Sequence, residues 1–318
     1  MALAIATALP TAAGAFVYFR YRHDLSAAKA RVSSGSKLID TAYGAIEYAD
    51  VGTGAPVLVI HGAGGGFDQG LEFARPLIAD GFRVIAPSRF GYLRTPLSRD
   101  GDASPMAQAD AYVCLLNALQ LDKVAVLGVS AGGPSAMQLC LRHPERCSAM
   151  VLGVPLAYSP QFDGAASARR SAFREFLINA TVSSDFVFWT MSKLAHDATI
   201  KTILGTPPED VEKAGADEQA RVEELLAHIE PISGRTKGLE NDATVAHSLP
   251  RYDLERFHLP TLVFSVENDQ YQTYSGARYT AEHIRGARFI GYPTGGHLLV
   301  GHQAEVWSEV QKFLKTAA

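Results

Sequence analysis

Cysteine is scarce in this chain, and positive charge is not in surplus. Cys114, Cys140 and Cys147 are the only three cysteines in 318 residues. They show neither a pairing pattern nor metal-ligand spacing, so they are expected to be reduced core residues, and no metal site is expected. Lys and Arg number 29 against 33 Asp and Glu, a formal net charge of −4. Without a basic surplus, nucleic acid is not an expected partner. The acidic surplus is too small to imply a partner of its own. No internal repeat or long low-complexity tract is present. Charge is missing altogether from residues 1–19, and Arg20, Arg22 and Lys29 follow. That segment reads as a single signal anchor near the lower length limit for a spanning helix. Pro10, Gly14 and many alanines make it a marginal one. By the positive-inside rule the main domain would then be cytoplasmic; if residues 1–19 are not an anchor, the protein is expected to be soluble in the cytoplasm.

The remaining length suits one large α/β domain with an insertion. Residues 20–36 read as a linker helix. Two short runs at 37–40 and 45–48, around Tyr43-Gly44, predict an antiparallel hairpin. A continuous apolar run at 56–60 and largely apolar runs at 83–87, 123–127, 149–154 and 261–266 predict buried strands, and 287–292 a last one. Helical periodicity covers about 69–80, 106–119, 134–143 and 302–314. Strands alternating with helices imply right-handed crossovers and a mostly parallel sheet covered on both faces. Between about 156 and 250 the strands disappear. Aromatic residues cluster there, with Phe173, Phe176, Phe186, Phe188 and Trp189, and 209–229 has a charged helical pattern. This is expected to be a helical insertion over the strand edge. The organisation is therefore 1–19 apolar segment, 20–36 linker helix, 37–155 first part of the core, 156–250 helical cap, and 251–318 second part of the core.

The chemistry gathers around Gly128-Val129-Ser130-Ala131-Gly132. An apolar β-branched run precedes it. A helix with Pro134 in its first turn follows, where the missing N–H costs nothing. Ser130 thus sits in a strand-to-helix turn, held out at the carboxyl edge of the sheet, as a nucleophile elbow requires. A serine hydroxyl needs a base, an acid to hold that base, and donors for the oxyanion. His297, in Thr294-Gly295-Gly296-His297 after the last strand, is the candidate base. His302 competes but opens the final helix, and His61 reads as structural. Asp269, directly after a strand in Val266-Glu267-Asn268-Asp269, is the candidate acid, with Glu267 as the alternative. The N–H of Ala131, next to the nucleophile, and that of Ala63, in His61-Gly62-Ala63-Gly64-Gly65-Gly66, are the candidate oxyanion donors. That glycine-rich loop matches neither G-x-x-x-x-G-K-[ST] nor G-x-G-x-x-G, which argues against a nucleotide. Gly64, Phe186 and Trp189 are the candidate substrate contacts.

The His-Gly turn at 61–62, the elbow at 128–132, Asp269 and His297, in this order, resemble the α/β-hydrolase family. The resemblance covers nearly everything from about residue 37 to the end. It implies an α/β-hydrolase fold: a mostly parallel eight-stranded sheet with helices on both faces and a helical cap insertion. One departure stands out. The family commonly has Pro-Asp-x-x-Gly at the end of the fourth strand, and this chain has Pro87-Ser88-Arg89-Phe90-Gly91. A serine nucleophile argues against the haloalkane dehalogenase and epoxide hydrolase branches, which use Asp.

The expectation is a serine hydrolase that cleaves a small carboxylic ester or lactone through an acyl-enzyme on Ser130, with a small-molecule substrate and no cofactor. The alternatives are a C–C bond hydrolase of a ring-cleavage diketone and a cofactor-free haloperoxidase-like enzyme. A non-catalytic scaffold is disfavoured, because such proteins usually lack a triad member. Oligomeric state is not legible in the sequence.

Overall fold

A computed structural model describes residues 2–162 and 184–317, with the side chains of the N-terminal helix described from Gly14 onward. Its centre is a single eight-stranded sheet: β1 (Lys37–Thr41), β2 (Gly44–Val51), β3 (Pro56–Ile60), β4 (Arg83–Pro87), β5 (Val124–Val129), β6 (Cys147–Gly153), β7 (Thr261–Val266) and β8 (Arg288–Tyr292). The spatial order is β1-β2-β4-β3-β5-β6-β7-β8. β2 pairs antiparallel with both β1 and β4, and every other pairing is parallel. β5 and β7 are buried at every position, as largely apolar runs in a covered parallel sheet should be.

Helices α2 (Phe67–Phe73), α3 (Arg75–Ala79) and α12 (Gln303–Ala317) cover one face, with Phe67, Leu77, Val306, Val310 and Phe313 buried against the strands. Helices α4 (Pro105–Ala118), α5 (Gly133–Arg142) and α11 (Tyr274–His283) cover the other, through Leu115, Met137, Leu139 and Ala277. The single helix expected over 69–80 is two helices. Pro76 lacks an N–H and its ring crowds the preceding turn, so the helix stops at Ala74 and restarts.

From β3 the chain runs to β4 on one side, while β5 lies on the other. The sheet thus has a topological switch between β3 and β5, where a crevice opens at the strands' carboxyl ends. Over this crevice lies the insertion between β6 and β7. Its described helices are α6 (Asp185–Leu194), α7 (His196–Ile203), α8 (Pro208–Glu212), α9 (Ala216–His228) and α10 (Thr236–Ser248). The helix expected over 209–229 is broken where Gly215 precedes α9. A third apolar cluster joins Ile200, Leu225, Ile229 and Leu239 of the insertion to Tyr92, Ala131 and Leu298 of the core.

The N-terminal region departs from expectation. One helix, α1 (Ala2–Val32), runs through residues 2–19 and most of the expected linker. Leu25 and Ala28 are buried, and Arg31 donates to the carbonyls of His228 and Glu230 in the insertion. Among the described residues, no helix is long and apolar enough to cross a membrane. The anchor expected at 1–19 therefore finds no support.

Candidate active site

Ser130 leaves β5 with φ of 51°, a left-handed conformation that a residue with a Cβ rarely adopts. Its neighbours make the turn affordable sterically. A Cβ on Gly128 would lie 2.6 Å from that of Ala136, and one on Gly132 would lie 2.5 Å from the carbonyl oxygen of Ile60. Both glycines therefore allow the elbow helix to press on the sheet. Strain held by surrounding structure is a mark of functional turns. Ala131 lies in the first turn of helix after Ser130, where N–H groups have no intrahelical acceptor.

β3 pairs with β5 in register, Ile60 beside Gly128, so the loop after β3 lies next to the elbow. Gly62 approaches so closely that a Cβ there would be 3.0 Å from the Cβ of Ser130. Its N–H donates to Gln69 Oε1 at 3.0 Å. Ala63 follows and faces the same cavity as Ser130.

Asp269 and His297 are brought together from the turns after β7 and β8. Asp269 Oδ2 lies 2.9 Å from Nδ1 of His297. The carboxylate also accepts the N–H of Tyr271 at 2.8 Å and the hydroxyl of Thr273. Its side chain is fully buried, and that of His297 is 10% exposed. Three donors on one carboxylate fix its orientation, and with it the imidazole. The histidine is held from the insertion side as well. Its backbone N–H donates to the carbonyl of Gly205 at 3.1 Å, while from the core the Tyr271 ring meets the imidazole edge-on at 4.8 Å. Glu267 is exposed, and its N–H pairs with the Tyr292 carbonyl, so it sits back along the sheet edge. His302 lies against Tyr292, at 4.3 Å between ring centroids.

Ser130, His297 and Ala63 line one cavity of about 50 Å³. The rest of its described lining is almost wholly apolar: Phe73, Val129, Ile203, Leu204, Ile229, Tyr271 and Leu298, with Gln69. No lysine or arginine is among these residues. His61, by contrast, is fully buried behind the loop. Its Nε2 accepts the N–H of Arg89 at 2.9 Å, so the proton sits on Nδ1, 2.7 Å from the Gly62 carbonyl. Burial, aided by the Arg89 cation, pushes its pKa well below the ordinary histidine value, so the ring is neutral.

The candidate substrate contacts fare differently. Gly64 stands behind Ala63 with φ of 71°, beneath Ile229, and supplies the turn rather than a cavity wall. Phe186 and Trp189 do not line the cavity. Trp189 Nε1 donates to Asp24 of α1 at 3.0 Å, and Tyr21 of α1 packs edge-on against both rings. An aromatic cluster signals burial but not the partner, and here the partner is the N-terminal helix. Phe173 and Phe176 lie outside the described residues. Local sequence gave no signal for Gly205, Tyr271 or Thr273. Gly205 reaches the Asp269–His297 pair from a position that only folding brings near, whereas Tyr271 and Thr273 support it from two and four residues beyond Asp269.

Comparison with known proteins agrees with this architecture. The family model described as alpha/beta hydrolase fold matches residues 55–301. The chain is 29% identical over 286 residues to the uncharacterized hydrolase YcgS of Bacillus subtilis, covering 86% of this chain and 96% of that protein. It is also 29% identical over 237 residues to a 2-hydroxy-6-oxononadienedioate/2-hydroxy-6-oxononatrienedioate hydrolase of Paraburkholderia xenovorans, covering 71% and 75% of the two chains. Among solved structures, an alpha/beta hydrolase fold protein from Nakamurella multipartita matches with a TM-score of 0.67 and 27% identity, over 89% of this chain and all of that one. With an eight-stranded sheet, a serine elbow after β5 and a family match across most of its length, the chain belongs to the α/β-hydrolase fold family and is a hydrolase.

Proposed function

We propose that this hydrolase cleaves a small, uncharged carboxylic ester or lactone through an acyl-enzyme on Ser130. The observation that carries the reading is the Asp269–His297 contact of 2.9 Å, with His297 opening onto the same small apolar cavity as Ser130. With Nδ1–H donating to Asp269, Nε2 is the free base. It takes the Ser130 proton as Oγ bonds to the substrate carbonyl carbon. The oxyanion then accepts from the N–H groups of Ala63 and Ala131. His297 returns the proton to the leaving oxygen as the C–O bond breaks. Water repeats the sequence on the acyl-enzyme and releases the acid. Asp269 orients His297 and offsets its transient charge.

The second reading is C–C bond hydrolysis of a ring-cleavage diketone, favoured by the activity for which the Paraburkholderia relative is named. That relative's named substrate is a dicarboxylate. A dianion buried in an apolar cavity needs cationic partners. The described lining offers none, which favours the neutral ester.

A fluorophosphonate probe tests the mechanism. It is expected to label the wild type at Ser130, and Ser130→Ala is expected to lose label and about 10⁵-fold or more in kcat on a short-chain ester. An alanine variant that turns over ester at the wild-type rate refutes the reading. A parallel panel of graded esters, lactones and a dienoate diketone separates the two substrate classes.

A further inference from the structure

Arg89 occupies a position that the family pattern leaves open, one residue after the departure at Ser88, and its surroundings give it a task. It follows β4, and its side chain is 7% exposed. The guanidinium makes two bonds of 2.6 Å to the carboxylate of Asp242, in α10 of the insertion. It also stacks near the Tyr92 ring, at 4.9 Å. Burial works against the cation, but Asp242 more than offsets it, so Arg89 stays charged. The same Nη2 donates to the Gly62 carbonyl at 3.2 Å, beside the 2.7 Å bond from His61 Nδ1.

The carbonyl of Gly62 and the N–H of Ala63 belong to one peptide unit. That unit is trans, so the two dipole ends point in opposite directions. These two side-chain donors, with the N–H of Gly65 at 3.4 Å, hold the carbonyl behind the loop and turn the Ala63 N–H toward the cavity. A cation on the carbonyl also polarises the amide and strengthens its N–H as a donor. The next turn is held from the same place: the N–H of Gly64 donates to the Tyr92 hydroxyl at 3.4 Å, and that hydroxyl donates to Asp242 at 2.5 Å. Close approach of the helix makes this reachable, since a Cβ on Gly238 would lie 2.2 Å from the Tyr92 ring.

We propose that Arg89 and Asp242, a buried pair joining core and insertion, are positioning residues that aim and polarise the Ala63 N–H of the oxyanion hole. This rests on the reading of Ser130 as nucleophile. It also means that docking of the insertion and assembly of the hole are one event.

Two variants test it. Arg89→Met combined with Asp242→Leu removes the pair without leaving a lone buried charge, a change that folds often tolerate. Arg89→Lys keeps the charge opposite Asp242 but cannot span both Asp242 and the Gly62 carbonyl. Each folded variant is expected to lose kcat about tenfold, less than the loss for deleting an oxyanion donor outright, with KM within about twofold. Phenylboronic acid, which places a tetrahedral oxyanion on the serine, is expected to bind more weakly by the same factor. The product acid is expected to bind as before. Unchanged kcat and boronate affinity in either folded variant overturns the proposal. So does unfolding of both, which would assign the pair to stability alone. Fluorophosphonate labelling of wild type keeps the outcomes separate: if Ser130 is not labelled, the serine mechanism fails. If it is labelled and the variants are unimpaired, only the positioning role fails.

Discussion

On the core side of the cavity, Ser130, Asp269 and His297 hang from the ends of β5, β7 and β8. Their places are set by strand pairing, by glycines that permit tight turns, and by neutral donors such as Thr273 and the Tyr271 N–H. On the opposite side, Ile203, Leu204 and Ile229 come from the insertion, which is joined to the core by an apolar cluster and by ion pairs. Arg235, with a fully buried side chain, donates to Asp68 at 2.8 Å, to the carbonyls of His228 and Ile229, and to that of Gly65 in the loop after β3. Arg89 grips Asp242, and Arg75 pairs with Glu224. The sheet edge is thus built by backbone geometry, and the wall over it is fastened by ion pairs as well as by apolar packing. Ion pairs depend on pH and on both partners, whereas a strand register does not. The two halves should therefore fail in different ways.

The core half should fail in chemistry with the fold intact. Asp269→Asn leaves His297 without the acceptor that sets its tautomer, and the equivalent change in a well-studied serine protease costs about 10⁴ in kcat. A loss of that order is expected here, with an unchanged thermal melt. Glu267→Gln, at an exposed position, is expected to keep nearly all activity. Comparable losses in the two variants would dissolve the distinction between the acid and its neighbour.

The insertion half should fail in stability. Arg235→Met removes one member of a buried pair and leaves Asp68 facing only the more distant Arg31, 3.7 Å away. Breaking a buried pair costs about 3–5 kcal/mol, to be read from denaturant midpoints. Acid should erase the difference. Burial alone would raise the Asp68 pKa, but Arg235 and then Arg31 hold it below its ordinary value. A depressed folded pKa contributes stability above the unfolded pKa and loses it as pH falls through the folded one. The gap between wild type and Arg235→Met is therefore expected to narrow progressively as pH falls below about 5. A gap independent of pH would mean that Arg235 acts by packing alone.

The same division explains what could be read before folding. The strands at 56–60, 83–87 and 261–266 declare themselves by largely apolar runs, and the structure has strands over those same residues. Ser130, Asp269 and His297 were legible because each directly follows such a run or lies in a glycine turn. The supports were not. Arg89 and Asp242 are 153 positions apart, and nothing near either names the other. Trp189 advertises burial, yet only the fold reveals that α1, not substrate, covers it. Even the helix break at Ala74 follows from a visible residue, Pro76, whose effect depends on the turn before it. A charge or an aromatic ring states a need, and the chain does not say locally who meets it.

The smallest expected effect concerns choice among substrates. Ile229 is buried, lines the cavity and stands 3.8 Å from where a Gly64 Cβ would be. It therefore presses on the loop after β3 from the insertion side. Ile229→Ala should open space beside the reacting carbonyl without touching Asp269 or His297. One lost apolar contact is worth about 1–3 kcal/mol between substrates, so a shift of about tenfold in relative kcat/KM is expected, toward longer acyl groups over acetyl. The check is a series of esters with a common leaving group and growing acyl chains, assayed well below the variant's melting temperature. If every ester changes by the same factor, the insertion closes the cavity but does not choose what enters it. Selection would then lie with Val129 and the core-side wall, and the comparison between the two halves would have to be redrawn.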